Sequence, residues 1–232
     1  MSTSLAGKTL FLACGGTGGH IFPAFAVAEE LAGRHPDLNI RYICGDKDIE
    51  SKIFATIPKN RFDVIRSAPF RGVRSFADPS FLLKLIQGIR SARELLASGK
   101  PDLVVGFGGY LSFPLVWMAG GMKIKTLIHE QNVVPGTANR LLSGRVDAAA
   151  LSSEATRKAL TRCRRTVVTG NPIRPMIERD CAREALDLFG FDPDRLTILV
   201  LGGSQGAESI NTIFLGALRF IGKQYRRKIQ VL

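Results

Sequence analysis

Three times in this chain an apolar, strand-like run breaks into glycines and then opens a helix. The first is Thr9-Leu10-Phe11-Leu12-Ala13-Cys14 followed by Gly15-Gly16-Thr17-Gly18-Gly19-His20; the second is Leu103-Val104-Val105 followed by Gly106-Phe107-Gly108-Gly109-Tyr110. The third is Leu196 to Leu201 followed by Gly202-Gly203-Ser204-Gln205-Gly206. A glycine turn between strand and helix lets a ligand approach the backbone, and the first N–H groups of the helix have no intrahelical partners. Such an end carries roughly half a positive charge and suits phosphate or sugar-phosphate groups. One loop of this kind is satisfied by an ordinary tight turn. Three, each at the carboxyl end of a strand, predict an open parallel α/β sheet with a ligand crevice along that edge.

Two common nucleotide motifs do not fit. In the register Gly16-Thr17-Gly18-Gly19-His20-Ile21, isoleucine stands where the dinucleotide fingerprint needs its third glycine, which disfavours a nicotinamide-linked oxidoreductase. A Walker loop would follow a strand and end in Gly-Lys-Ser/Thr; Gly7-Lys8-Thr9 is such a tripeptide, but Ser2 stands where the loop's first glycine should be, and it precedes its apolar run instead of following one.

Elsewhere strands and helices alternate. Strands are predicted at Thr9 to Ala13, Ile40 to Cys44, Phe62 to Arg66, Leu103 to Gly106, Ile124 to Ile128, Ala148 to Leu151, Thr166 to Thr169 and Thr197 to Leu201, with a last one at Lys228 to Leu232. Gly170-Asn171-Pro172-Ile173-Arg174-Pro175 interrupts regular structure, so a domain boundary is expected there, with domains 1–173 and 174–232. A helix is expected from Asp78-Pro79, with Leu82, Leu85, Ile86, Ile89 and Leu96 as its core stripe. Phe76, Phe81 and Leu83 fall off that stripe beside Arg71, Arg74, Lys84 and Arg90, the mixture expected of a surface resting on anionic headgroups.

The 32 Lys and Arg against 20 Asp and Glu give a net charge of +12. That excess favours anionic partners, but no helix-turn-helix, RNP-type pattern or metal finger accompanies it, so nucleic acid is not expected. The four cysteines form no C-x-x-C pair and the three histidines are scattered, so no metal site is predicted. Too few apolar residues separate Lys8 from Cys14 for a signal peptide, and the longest apolar stretch falls short of the ~20 residues that span a bilayer. Any membrane contact is expected to be peripheral.

The segments Gly15 to Ala24, Gly106 to Tyr110, His129-Glu130-Gln131-Asn132, Thr169 to Arg174 and Gly202 to Ala207 together resemble, in order, the motif series of the MurG family. The resemblance implies a GT-B glycosyltransferase with two Rossmann-like domains and no cofactor. Its implied reaction moves N-acetylglucosamine from UDP onto an undecaprenyl-pyrophosphate-linked muramyl-pentapeptide, by inverting single displacement at the cytoplasmic face of the inner membrane. Only about sixty residues follow Arg174, so the second domain is expected to be incomplete, ending after its first β-α-β unit. An alternative is therefore a half-enzyme that binds acceptor lipid and membrane and needs another segment for the donor.

Such a transfer needs a base near the attacking hydroxyl and positive potential near the leaving phosphates. His20 is the candidate base, since an unperturbed imidazole titrates near ~6.5. The resemblance places Thr17, Gly18, Gly19, Asn132, Arg174 and Ser204 at the UDP-sugar donor, and Tyr110 and Glu130 at the acceptor. His129, just after an apolar strand, reads as a structural histidine, and His35 has no visible role.

Overall fold

The computed structural model describes residues 5–45, 58, 61–65, 67, 77–178, 181–202 and 207–232. They fall into two compact units, Met1–Ile177 and Glu178–Leu232. The division lies four residues beyond the expected boundary and leaves Arg174 in the first unit.

The first unit is built on seven parallel strands: β1 (Thr9–Ala13), β2 (Asn39–Cys44), β3 (Phe62–Val64), β4 (Leu103–Gly106), β5 (Lys125–Glu130), β6 (Ala148–Leu151) and β7 (Thr166–Val168). Their spatial order is β3-β2-β1-β4-β5-β6-β7. The order reverses between β1 and β4, the position where open α/β sheets bind ligands beyond the carboxyl ends of their strands. Both strands at the switch are followed by glycine loops. The expected α/β fold is therefore what forms, with the strand limits of this unit within two residues of the sequence reading wherever both ends are described.

Helices cover both faces. On one, α1 (Gly18–Arg34) lays Ile21, Ala24 and Ala28 against Leu10, Leu12, Ile40 and Val105. On the other, α2 (Pro79–Gly99), α3 (Gly109–Gly121) and α4 (Thr137–Leu142) bury Ala92, Leu96, Leu115 and Leu142 against Phe11, Val104 and Ile128. Each fully buried large apolar side chain contributes about 1.5–3 kcal/mol. Short α5 (Glu154–Arg157) follows β6, and α6 (Pro175–Glu178) ends the unit.

α2 corrects the sequence reading. Asp78 caps it as expected, accepting from Ser80 N at 2.8 Å, with Pro79 in the first turn. The buried face, however, runs through Phe81, Gly88, Ala92 and Leu96, while Leu82, Leu83 and Ile86 are 38%, 57% and 56% exposed. Of the expected stripe Leu96 is buried and Leu85 and Ile89 are half-buried, but Phe81, expected at the surface, is buried, and choosing by side-chain size overlooks Gly88 and Ala92, small residues that allow close helix approach. Arg71, Arg74 and Phe76 lie outside the described residues.

The second unit contains α7 (Ala182–Phe189), β8 (Leu196–Ile198), α8 (Glu208–Leu218), α9 (Lys223–Arg226) and β9 (Ile229–Val231). β8 and β9 pair in parallel. The buried Gln230 side chain ties the unit together, accepting from Asp192 N and donating to Asp192 O and Thr197 Oγ1. The third glycine loop, with Ser204, falls outside the described residues.

Candidate active site

His20 stands in the first turn of α1, where the glycine loop after β1 becomes helical. Thr17 precedes the helix in extended conformation, and its side chain makes no cap bond to the backbone. Its Oγ1 lies instead 3.1 Å from His20 Nδ1. The second glycine loop runs along the imidazole as a bare backbone shelf. A Cβ on Gly108 would sit 3.1 Å from His20 Cδ2 and 3.2 Å from Nε2, and one on Gly109 would sit 3.3 Å from Nδ1 and 3.1 Å from the Gly15 carbonyl. Both glycines have positive φ, 90° and 77°, so sterics and backbone conformation each exclude a side chain there.

This packing sets the histidine's chemistry. Burial pushes the His20 pKa below its ordinary 6.5, while the Glu130 charge and a hydrogen bond with the Gly15 carbonyl partly oppose that shift. The ring is thus neutral at pH 7. The Gly15 carbonyl hydrogen-bonds the ring and Thr17 Oγ1 meets Nδ1, and in the tautomer with its proton on Nδ1 the Nε2 lone pair, on the Gly108 side, is available to accept one.

The facing wall comes from the end of β5 and the loop leading to α4. Glu130 is buried, and four N–H groups donate to its carboxylate: Asn132 N (2.9 Å) and Asn132 Nδ2 (3.2 Å) to Oε1, Gly136 N (3.0 Å) and Asn139 Nδ2 (2.8 Å) to Oε2. Asn139 also donates to the His129 carbonyl at 3.0 Å. Gln131 Nε2 donates to the Phe107 carbonyl at 2.6 Å, locking this wall to the residue before the glycine shelf. Thr156 donates to the Asn132 carbonyl at 3.0 Å.

His20, Asn132 and Asn139 line a cavity of about 280 Å³ together with the apolar Phe81, Leu85 and Phe113. Tyr110 borders the same space, and its ring passes 3.2 Å from where a Gly16 Cβ would be. Gly16 has φ 86° and permits that approach. The lining combines an imidazole and amide groups with hydrocarbon, a fit for an amphipathic ligand.

The structure brings His20, Tyr110, Glu130 and Asn132 to this cavity, with Thr17 against the imidazole. A Cβ on Gly18 would meet the Phe22 ring at 2.9 Å, and the Arg174 guanidinium lies over that ring, 4.3 Å from its centroid. Gly19 is in the same first turn. His129 is buried, 3.3 Å from the Gly170 carbonyl through Nε2 and packed near Phe107. Sequence reasoning missed Gln131, Asn139 and the role of Gly108 and Gly109 as a shelf for His20. A polar Asn139 amid the apolar side of a short helix was the available signal.

A doubly wound parallel sheet with a histidine-bearing glycine crest defines a Rossmann-like domain of the glycosyltransferase kind. The chain belongs to glycosyltransferase family 28, matching that family's N-terminal domain over residues 10–151. It is 37% identical over 212 residues to the UDP-N-acetylglucosamine–N-acetylmuramyl-(pentapeptide) pyrophosphoryl-undecaprenol N-acetylglucosamine transferase of Alkaliphilus metalliredigens, covering 90% of this chain and 57% of that protein. The enzyme of the same name from Halothermothrix orenii is 41% identical over 222 residues, covering 94% of this chain and 58% of that protein. The chain thus spans under three-fifths of the length of these two relatives. Among solved structures, Acinetobacter baumannii MurG superposes with a TM-score of 0.67 at 28% identity, covering 97% of this chain and 68% of that one. A UDP-GlcNAc 2-epimerase from Neisseria meningitidis shares the fold alone, at 15% identity and a TM-score of 0.59, over 97% of this chain and 66% of that one.

Proposed function

We propose that the chain carries the acceptor side, and the beginning of the donor side, of an enzyme that transfers N-acetylglucosamine from UDP-N-acetylglucosamine to an undecaprenyl-pyrophosphate-linked muramyl-pentapeptide. The observation that carries this reading is the partly buried His20 imidazole, met at Nδ1 by Thr17 Oγ1 and lining a cavity with both polar and apolar residues. The kinship with transferases named for this reaction supports it.

In the proposed reaction a muramyl hydroxyl attacks the anomeric carbon of the donor sugar. The new C–O bond forms as the bond to UDP breaks, UDP leaves with that electron pair, and the hydroxyl proton passes to His20 Nε2. General-base help of this kind is typically worth ~10²–10⁴ in rate. Thr17, Gly18 and Gly19 present the helix N-terminus to anionic groups. Asn132 offers its amide to the donor sugar, Arg174 a permanent charge to the UDP phosphates, and Ser204 a further donor-phosphate contact. Tyr110 takes the acceptor sugar side.

The exposed Leu82, Leu83 and Ile86, with Lys84 and Arg90 on the same helix, form the face proposed to rest peripherally on the cytoplasmic leaflet. Among the described residues no helix is long and apolar enough to cross a membrane.

Two substitutions test the division of labour. Tyr110→Ala is expected to raise the acceptor KM and leave the UDP-sugar KM in place, and Arg174→Ala to do the reverse. The opposite assignment, or no change in either constant, contradicts the reading.

A further inference from the structure

The sequence resemblance assigns Glu130 to the acceptor, but the structure leaves its carboxylate little capacity for a ligand. Both oxygens already accept two N–H bonds each, at 2.8–3.2 Å, and the residue is 1% exposed. All four partners are donors, the arrangement of a charged carboxylate rather than of its acid, which would need to donate an O–H. A buried charge held this way is stable only because its hydrogen bonds are complete.

What those bonds hold is the wall opposite His20. They fix the backbone at Asn132 and Gly136 and the side chains of Asn132 and Asn139. Asn139 Nδ2 would be 3.6 Å from a Cβ on Gly108, the same point that lies 3.2 Å from His20 Nε2. Asn139, which donates to the carboxylate, thus reaches the same stretch of the glycine shelf as the Nε2 edge of His20. The titratable and polar groups facing the imidazole are Thr17 on its own loop, Tyr110 at the start of α3 and Glu130 at the end of β5, while Arg174 stacks on Phe22, two residues further along α1.

We propose that Glu130 is a positioning residue: its buried carboxylate sets the Asn132–Asn139 loop and supplies the negative charge that stabilises the imidazolium formed when His20 accepts a proton. This rests on His20 serving as the base. The charge acts across Asn139 rather than through a direct bond, so His20 stays neutral and ready in the resting site while protonation costs less than burial alone would demand. The carboxylate touches no reacting atom, so the acceptor owes its binding to other groups.

The test is Glu130→Gln, which keeps size and removes the charge. NMR titration of the three imidazoles is run on the full chain without substrate, with His35 as internal reference. The His20 midpoint is expected to move to lower pH while that of His35 stays. In transfer assays kcat is expected to fall by about 100-fold, the scale of a small misplacement, with little change in the acceptor KM. Asn139→Ala, a second variant that keeps the charge and removes one donor, is expected to lower kcat without moving the His20 midpoint down. An unmoved His20 midpoint in Glu130→Gln overturns the proposal, as does a raised acceptor KM with kcat intact in either variant. If the parent chain shows no transfer at all, the claim that this chain alone performs the reaction fails, and the titration still decides the role of Glu130. Should Glu130→Gln not fold, an unchanged kcat in Asn139→Ala overturns the proposal and a lowered one supports it.

Discussion

His20 and the two glycines beneath it form one device. Gly108→Ala would drive a Cβ into the imidazole edge and also demand φ 90° of an L-residue. The substitution is expected to cost about 100-fold in transfer rate through displaced Nε2, with far-UV circular dichroism unchanged; a fully active variant would contradict the shelf. The pH dependence follows from the same burial. His20 and His129 both titrate below their ordinary 6.5 in the folded chain because burial disfavours the charged ring. The unfolded chain therefore takes up protons first on acidification, so folding stability is flat above about pH 7.5 and falls as pH drops through 6.5 toward the folded values. Denaturant titrations at pH 8, 7, 6 and 5 check this, and a stability that rises between pH 7 and 5 would refute it. The sequence shows His20 and its glycine loop because the strand–glycine–helix spacing is local. It does not show that Glu130 is saturated, since its partners Gly136 and Asn139 depend on how the loop folds back.

Among the elements, the strands of the first unit were legible because parallel, doubly covered strands read as continuous apolar runs. The face of α2 was not, because its contact with the rest of the unit depends on Gly88 and Ala92, whose value lies in what they omit. The same logic governs Gly99 at the end of α2. A Cβ there would overlap the ring of Phe11, a fully buried residue of β1. Gly99→Ala is expected to destabilise the first unit by about 1–3 kcal/mol, the usual cost of overpacking, measured by urea denaturation; a stabilising effect from improved helix propensity would show that Phe11 gives way freely. On the outer face of α2, Leu83→Glu and Ile86→Glu replace side chains already in water. They are expected to leave the melting temperature within a few degrees while reducing sedimentation with anionic phospholipid vesicles. Unchanged vesicle binding would remove this helix from the proposed membrane contact.

Across the whole molecule the two units differ in how they are held. The first has two continuous cores, whereas among the described residues of the second no apolar side chain is buried, and Leu188, Leu201 and Phe220 are 79%, 76% and 92% exposed. Local stability tracks buried apolar contact, so limited proteolysis is expected to cut first within residues 178–232 and to leave a fragment of the first unit; initial cleavage inside β1 to α1 would contradict this. The division of labour proposed for the site follows the same asymmetry, with the proposed base, the cavity and the helix proposed to meet the membrane all in the better-packed unit. The most direct measurement is transfer of labelled N-acetylglucosamine from UDP to a lipid-pyrophosphate muramyl-pentapeptide by this chain, run beside His20→Ala. Product from the parent chain and loss of nearly all of it in the folded variant is the predicted result; equal rates from both would contradict the assignment of His20 as the base on which the account depends.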